Sequence, residues 1–572
     1  MNRRFRTALA LALAMLSVVA CGQLLGLDDL HGTSLVTSQE AGSETGAPDA
    51  SEGGPPECTM HWQCNQTSGS ATLCTSGKCV PVDSELCLSE VLGGNGTLQS
   101  KGADALVFAA FLPLYGDTPA TQLPPALAYG LAVRELNGHG GIPLKETNDG
   151  GAIGNTIYHQ IAIVVCDSDP KNVKNAVSHV AEKLHVPAMI AGFDVAQSSS
   201  LISNIAKPAG VFTMNPGVTS EELRYTEDSF LWNLLGTPED VALAYRPLLK
   251  GIEAALRSDG GALAGGPDLR VALLTTNTSL EQSVESVLKK GKLDRLDGGK
   301  ADPETGLFFN GKNIAGTSDG GTFVSISVKA LENKEQPDYA GIHSTLAAFD
   351  PHVVIALTRD EIVRVVAELE DPDGGAGLHP TWILGPRNSN VLVDYLATSG
   401  GGGFDGNKER RFLGVGIAGT EEPTQRDAWR VAMENEYKAA GKAAWSTENY
   451  YDAIYWLAYG AHQLAWPPTG RALGDGVRRL VDGQPINPGS TTNISNAFTT
   501  LGLSGHATYV GALGPPDIDT RFGTWNSVGG AYCYAKASGA ISPKYDVLRF
   551  NRSTKKLVAT TNGAPCFPFQ FE

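Results

Sequence analysis

From about residue 104 the chain alternates short apolar runs with segments whose apolar residues recur every three or four positions. "ALVFAAF" (105–111) reads as a strand with no polar face. "LPPALAYGLAVRELN" (123–137) places Leu127, Leu131, Val133 and Leu136 at near-helical spacing. "IAIVVC" (161–166) is the next strand. Asp169 then suits an N-cap with Pro170 at the first helical position, and the helix buries Val173, Val177, Val180 and Leu184. "PAMIAG", "SSSLISNIAKPAG" and "VFTMNP" continue the alternation. A second series starts at "RVALLTT" (270–276), where Thr278 and Glu281 form a capping box ahead of Val284, Val287 and Leu288. It continues through "VVIAL" (353–357), "DEIVRVVAELE" (360–370), "TWILG" (381–385) and "FLGVGI" (412–417). Alternation on this scale predicts α/β architecture with parallel sheets covered on both faces. Two series separated near 237–268 predict two such lobes. From about 424 the chain reads as mainly helical and ends in strand-like pieces, "GGAYCYAKA" and "YDVLRFN".

Upstream of 104 the pattern is different. "MNRRFRTALALALAMLSVVACG" has three arginines and then an apolar run too short to span a bilayer, which needs roughly 18–20 residues. This is a secretory signal, and its end, Val18-Val19-Ala20-Cys21, resembles that of a bacterial lipoprotein, in which Cys21 is acylated. An ordinary cleaved signal with an incidental cysteine is the alternative. Residues 31–57 are Gly, Ser, Thr, Pro and acids with almost nothing apolar, the composition of a disordered tether. The full chain has 572 residues, 42% hydrophobic and 18% charged, with a formal net charge of -17. An acidic surface repels phosphate backbones, which argues against nucleic-acid partners.

Export makes the remaining cysteines legible as disulfides. Five of the eight lie in a core-poor segment: Cys58, Cys64, Cys74, Cys79 and Cys87. Two bridges would staple it, and the fifth thiol must look elsewhere. Cys533 and Cys566 can pair, which leaves Cys87 and Cys166; spacing alone fixes no connectivity. Zinc is the competing reading, disfavoured by a lone CxxxxC spacing. "GVGIAG" (414–419) matches GxGxxG but sits late in the second lobe, away from any first strand-to-helix turn. No Walker loop or HExxH is present, and no cofactor or catalytic role is expected.

Five segments together resemble the type 1 periplasmic solute-binding proteins of the leucine/isoleucine/valine-binding kind, which serve ABC importers. They are "AAFLPLYGD", "LAVRELNGHGGI", "VVCDSDPKNVKNAVSHVAEKL", "VPAMIAGFDVAQSSSLISNIAKPAGVFTMNPGVTSEEL" and "ENYYDAIYWLA", in the family's order. The resemblance covers roughly 104–570 and implies two doubly wound lobes joined by three hinge crossovers, near 235–240, 420 and 505–520. The chain then divides into a lipoprotein signal (1–21), linker (22–57), cysteine-rich segment (58–90), lobe one (104–237), lobe two (238–420), the return of lobe one (421–505), and the return of lobe two with a tail (506–572). The cysteine-rich segment falls outside the resemblance, as an added stalk.

The resemblance also implies a solute cleft between the lobes, with an ABC permease and, through Cys21, a membrane as partners of an exported protein. On lobe one it assigns Tyr115 of the first loop, Ala196, Gln197 and Ser198 of the serine loop, and Gly217 and Thr219 of the Pro216 turn. Thr219 with Glu222 is also a capping box, and Ser198 also suits a helix cap. On lobe two it assigns Asn277, Thr358 and Arg387, with Tyr450 or Tyr451, here Tyr451, closing from the returning helix. The family often has an aromatic near Asn277 and an acid near Arg387. A guanidinium repels an ammonium and pairs with carboxylates, so an anionic or neutral polar solute is favoured over a simple α-amino acid. The alternative of a different class is a surface or sensory lipoprotein that uses the fold for protein contacts.

Overall fold

A computed structural model describes residues 56–66, 71–115, 118–147, 153–193, 195–218, 220, 223, 230–258, 261–290, 306–314, 321–331, 335–370, 377–386, 392–398, 406–417, 423–444, 447–525, 529–537, 540–551, 554 and 556–559. The signal segment, Cys21, most of the tether, Thr219, Arg387 and Cys566 lie outside the described residues.

The apolar runs become strands because helices cover both their faces. β4 (Leu106–Leu112) and β7 (Ile161–Asp167) are buried at every position and pair in parallel from Leu106↔Ile161 to Leu112↔Asp167. Beside β4 run β8 (Ala188–Ile190), β9 (Phe212–Asn215) and β10 (Leu231–Asn233), all parallel. β3 (Cys87–Leu92) closes one edge antiparallel to β7, while β20 (Ile518–Asp519) and β21 (Thr524–Trp525) close the other. The first sheet thus has the order β20-β21-β10-β9-β8-β4-β7-β3. Helices Pro124–Gly138 and Glu448–Ala461 pack Tyr129, Leu136, Ile454 and Trp456 on one face; Val173, Val177 and Ile202 cover the other.

The second sheet has the order β14-β11-β15-β16-β17-β22-β23-β24. Its parallel half is β11 (Val271–Thr276), β14 (Phe323–Val328), β15 (Val353–Leu357), β16 (Thr381–Leu384) and β17 (Phe412–Ile417). Its antiparallel half is β22 (Gly529–Ala537), β23 (Ala540–Asn551) and β24 (Lys556–Ala559). Two-stranded ribbons stand apart: β1 (Thr72–Thr75) with β2 (Lys78–Pro81), β5 (Ile142–Thr147) with β6 (Ile153–His159), β12 (Phe308–Phe309) with β13 (Lys312–Asn313), and β18 (Gln484–Ile486) with β19 (Ala507–Tyr509). Among the described residues no helix is long and apolar enough to cross a membrane.

The chain crosses between sheets three times. The first crossing follows Asn233 and leads into helix Pro238–Ala242, whose cap Thr237 receives the Asp240 backbone N–H while its own N–H donates to Asp240. The second falls between Ile417 and Pro423. The third lies between Trp525 and Gly529, not at 505–520 as the resemblance implied, because Thr524 pairs with Asn233 in the first sheet. A two-residue strand carries no periodicity, so nothing local marked it.

The cysteine-rich segment is also not a stalk. Cys58–Cys74 and Cys64–Cys79 staple it, and Cys87–Cys166 ties it to β7. Ala71, Leu73, Val82 and Val91 join the lobe-one core beside Val107 and Val164. β3 thereby covers an edge that would otherwise present unpaired N–H and C=O groups. Cys533 is disulfide-bonded as well. Asp169 caps as expected: its carboxylate accepts from Lys171 N–H at 2.8 Å and its carbonyl from Val173 N–H at 2.8 Å, ahead of the regular helix Val173–His179.

Candidate functional site

In open α/β sheets, ligands bind outside the strand carboxyl ends where the strand order reverses. In lobe one the chain runs from β4 to β7 on one side and then to β8 on the other. The loops after Leu112 and Ile190 therefore flank its switch point. In lobe two β11 is flanked by β14 and β15, so the loops after Thr276 and Leu357 flank the second. The helices that follow two of these loops, Val195–Leu201 and Ser279–Lys290, approach within 8 Å Cα to Cα. The two carboxyl edges therefore face one another.

On lobe one, Gly192 sits where a Cβ would stand 1.9 Å from the Phe111 carbonyl oxygen, so only glycine lets the serine loop close on β4. The Gln197 Nε2 donates to the Pro170 carbonyl at 3.3 Å, while its buried Oε1 has no hydrogen-bond partner among the described residues. Ser198 is 2% exposed, and of Ala196 only the helical backbone is described. In the Pro216 turn, Gly217 N–H donates to Asn215 Oδ1 at 3.1 Å, and Asn449 Nδ2 donates to the Pro216 carbonyl at 2.6 Å. Ser220 Oγ is buried and unpaired among the described residues.

The remaining expected residues divide. Tyr115 is 65% exposed, but its hydroxyl donates to the Glu85 carbonyl at 2.8 Å. Asn277 acts as a brace: its Nδ2 donates to Glu335 at 2.8 Å and its Oδ1 accepts from Ala330 N–H at 2.8 Å. Thr278 donates its hydroxyl to the Glu281 carboxylate, a bond between side chains and not the side-chain-to-backbone pair of a capping box. Thr358 is buried at the β15 carboxyl end, where Glu361 receives the Arg359 N–H at 2.9 Å. Tyr451 lies inside lobe one, where it and Tyr455 donate to one oxygen of Glu135 at 2.6 and 2.8 Å. The buried Glu135 carboxyl is raised by desolvation, against those two hydrogen bonds. From that helix it is Asn449, not Tyr451, that reaches the Pro216 turn. Next to it Glu448 is pushed up to about 7 by burial, opposed chiefly by Arg430 at 3.6 Å.

Asn215, Ser220, Glu448 and Asn449 were not singled out from the sequence. Asn449 contacts a carbonyl 233 positions away, and no local pattern encodes that. Two decoys resolve. The Cys58, Cys64 and Cys79 sulfurs cluster within 4.8 Å, but all three belong to disulfides and offer no thiolate to zinc. Gly414 of "GVGIAG" meets the Tyr532 ring, where a Cβ would lie 2.0 Å from Cζ; that glycine serves sheet packing.

The fold is thus a two-lobed, doubly wound α/β protein with a switch point on each lobe. No protein-family profile matches the chain, and no curated protein does. Among solved structures it is similar to a leucine binding protein from Thermotoga maritima, at 12% identity and TM-score 0.47, over 79% of this chain and 100% of that one. It is also similar to a solute binding protein of an ABC transporter from R. palustris in complex with benzoate, at 14% identity and TM-score 0.46, over 81% and 99%. A third is a putative branched-chain amino acid ABC transporter from Rhodospirillum rubrum, at 14% identity and TM-score 0.44, over 77% and 99%. The likeness is one of outline and transfers no residue and no ligand.

Proposed function

We propose that this chain is an extracytoplasmic solute-binding lipoprotein, anchored through Cys21, that captures a small polar molecule between its lobes and delivers it to an ABC importer. The approach of helix Val195–Leu201 to helix Ser279–Lys290 carries the reading, because it sets two switch points face to face. The unpaired Gln197 Oε1 and Ser220 Oγ support it, as polar atoms a solute would satisfy. Gly217, Thr219 and Ser198 are the expected lobe-one grip, and Thr358 and Arg387 the lobe-two contacts. An amino acid, amide or carboxylate-like solute fits such a set, with Arg387 favouring an anionic group. Lobe closure would be the state a permease senses, and the solute favours it only through contacts made in that state.

The test is a thermal-shift screen of the exported chain, with its cysteine-rich segment retained, against amino acids, dicarboxylates, amides, polyols and benzoates. A specific solute raises the melting temperature by mass action, and at a hundred times its Kd contributes about 2.7 kcal/mol. Thr219→Ala and Arg387→Ala then weaken that solute. If no solute in any class shifts the transition, the transport reading fails; if both variants bind normally, the assigned residues are wrong.

A further inference from the structure

β3 runs antiparallel to β7, so its first residue lies beside the end of β7, with Cys87 opposite Cys166. The residues just before β3 therefore stand at the carboxyl edge of lobe one, the edge that carries the solute loops. Contacts there are specific. Asp167 N–H donates to the Leu86 carbonyl at 2.8 Å, and Tyr115 donates its hydroxyl to the Glu85 carbonyl at 2.8 Å. The buried Asp167 carboxylate in turn accepts from Leu114 N–H at 3.3 Å and Asp169 N–H at 3.0 Å. The cysteine-rich segment thus holds the loop after β4 through Glu85 and the last residue of β7 through Leu86, beside a buried disulfide.

We propose that the cysteine-rich segment is the fixed outer wall of the cleft, and that Glu85 and Leu86 hold the first solute loop, Pro113–Tyr115, in its binding position. Tyr115 is then a positioning residue, its hydroxyl committed to the wall and not to a solute. This rests on the solute-cleft reading. It separates the wall from a mere edge cover, because an edge strand needs only its ladder to β7, which Leu86 continues, and has no use for the Glu85 carbonyl's bond to Tyr115.

The test is amide hydrogen exchange on the full exported chain without added solute. Tyr115→Phe keeps the ring and removes one donor, so exchange at Leu114 and Tyr115 should accelerate about fivefold, the equivalent of one neutral hydrogen bond, with β16 and β17 unchanged. Cys87→Ser with Cys166→Ser should accelerate both β3 and that loop. Unchanged loop exchange in Tyr115→Phe, or faster exchange confined to β3 in the double variant, overturns the wall. If the double variant does not fold, Tyr115→Phe decides alone. Absence of any solute in the screen would count against the cleft reading and leave this result standing.

Discussion

Asn215 donates its side-chain amide to Asn233 Oδ1 at 3.0 Å, and Asn233 passes its own amide to Thr524 Oγ1 at 3.0 Å. Asn215 and Asn233 end β9 and β10, and Thr524 opens β21, in neighbouring strands of the first sheet. Asn215 also receives the Gly217 N–H, Asn233 precedes the first crossover, and Thr524 precedes the third. One buried polar ladder therefore joins the Pro216 turn to two of the three hinges.

Asn233→Ala should destabilise the protein by about 1–3 kcal/mol, since it leaves the buried Asn215 amide without its acceptor. Urea unfolding measures it. A change under about 0.5 kcal/mol would mean the ladder is relaxed by water.

Glu448 gives a pH signature. Burial raises its carboxyl from 4.5 to about 7, with Arg430 and Arg426 opposing and Asp452 adding to the rise. Between those values the folded chain holds a proton that the unfolded chain has lost, so this contribution is full below about 4.5 and vanishes as pH rises past 7. Glu448→Gln cannot titrate. From pH 5 to 8, wild type should lose stability relative to Glu448→Gln, on the order of 2 kcal/mol. Parallel curves across that range would show that the side chain is hydrated.

The Cys87–Cys166 bridge spans 79 positions, a long loop to constrain in the unfolded chain. Its removal should lower stability by about 3–4 kcal/mol, measured by denaturant unfolding of the double serine variant. Both half-cystines are buried, so a mild reductant should release labelled thiols only at the rate of unfolding.

Gly192→Ala should be among the most damaging single changes. The new methyl meets a backbone carbonyl that cannot swing aside, so at least about 2 kcal/mol is lost, or the serine loop moves and solute affinity falls with it. Calorimetry and the thermal-shift assay distinguish the two outcomes. A variant with wild-type melting and binding would refute the close approach.

Local sequence made the core strands visible because a strand buried on both faces is apolar throughout, as in Leu106–Leu112 and Val353–Leu357. Helices such as Glu361–Glu370 were visible because one face must be apolar, here Ile362, Val365, Val366 and Leu369. The cleft side was legible only through the resemblance. Tyr451 looked like a cleft residue, yet a tyrosine on a helix reads the same whether it faces a solute or Glu135. Asn277 looked like a ligand donor, yet Glu335 and Ala330 take both ends of its amide.

By itself, then, the sequence determined two α/β lobes, their strand and helix order, and a cysteine-rich segment too poor in apolar residues to stand alone. Only the tertiary structure decided that this segment completes a lobe, that Thr524 belongs beside Asn233, and that Asn449 holds the Pro216 turn. Periodicity records whether a residue is buried; it holds no record of which distant partner buries it.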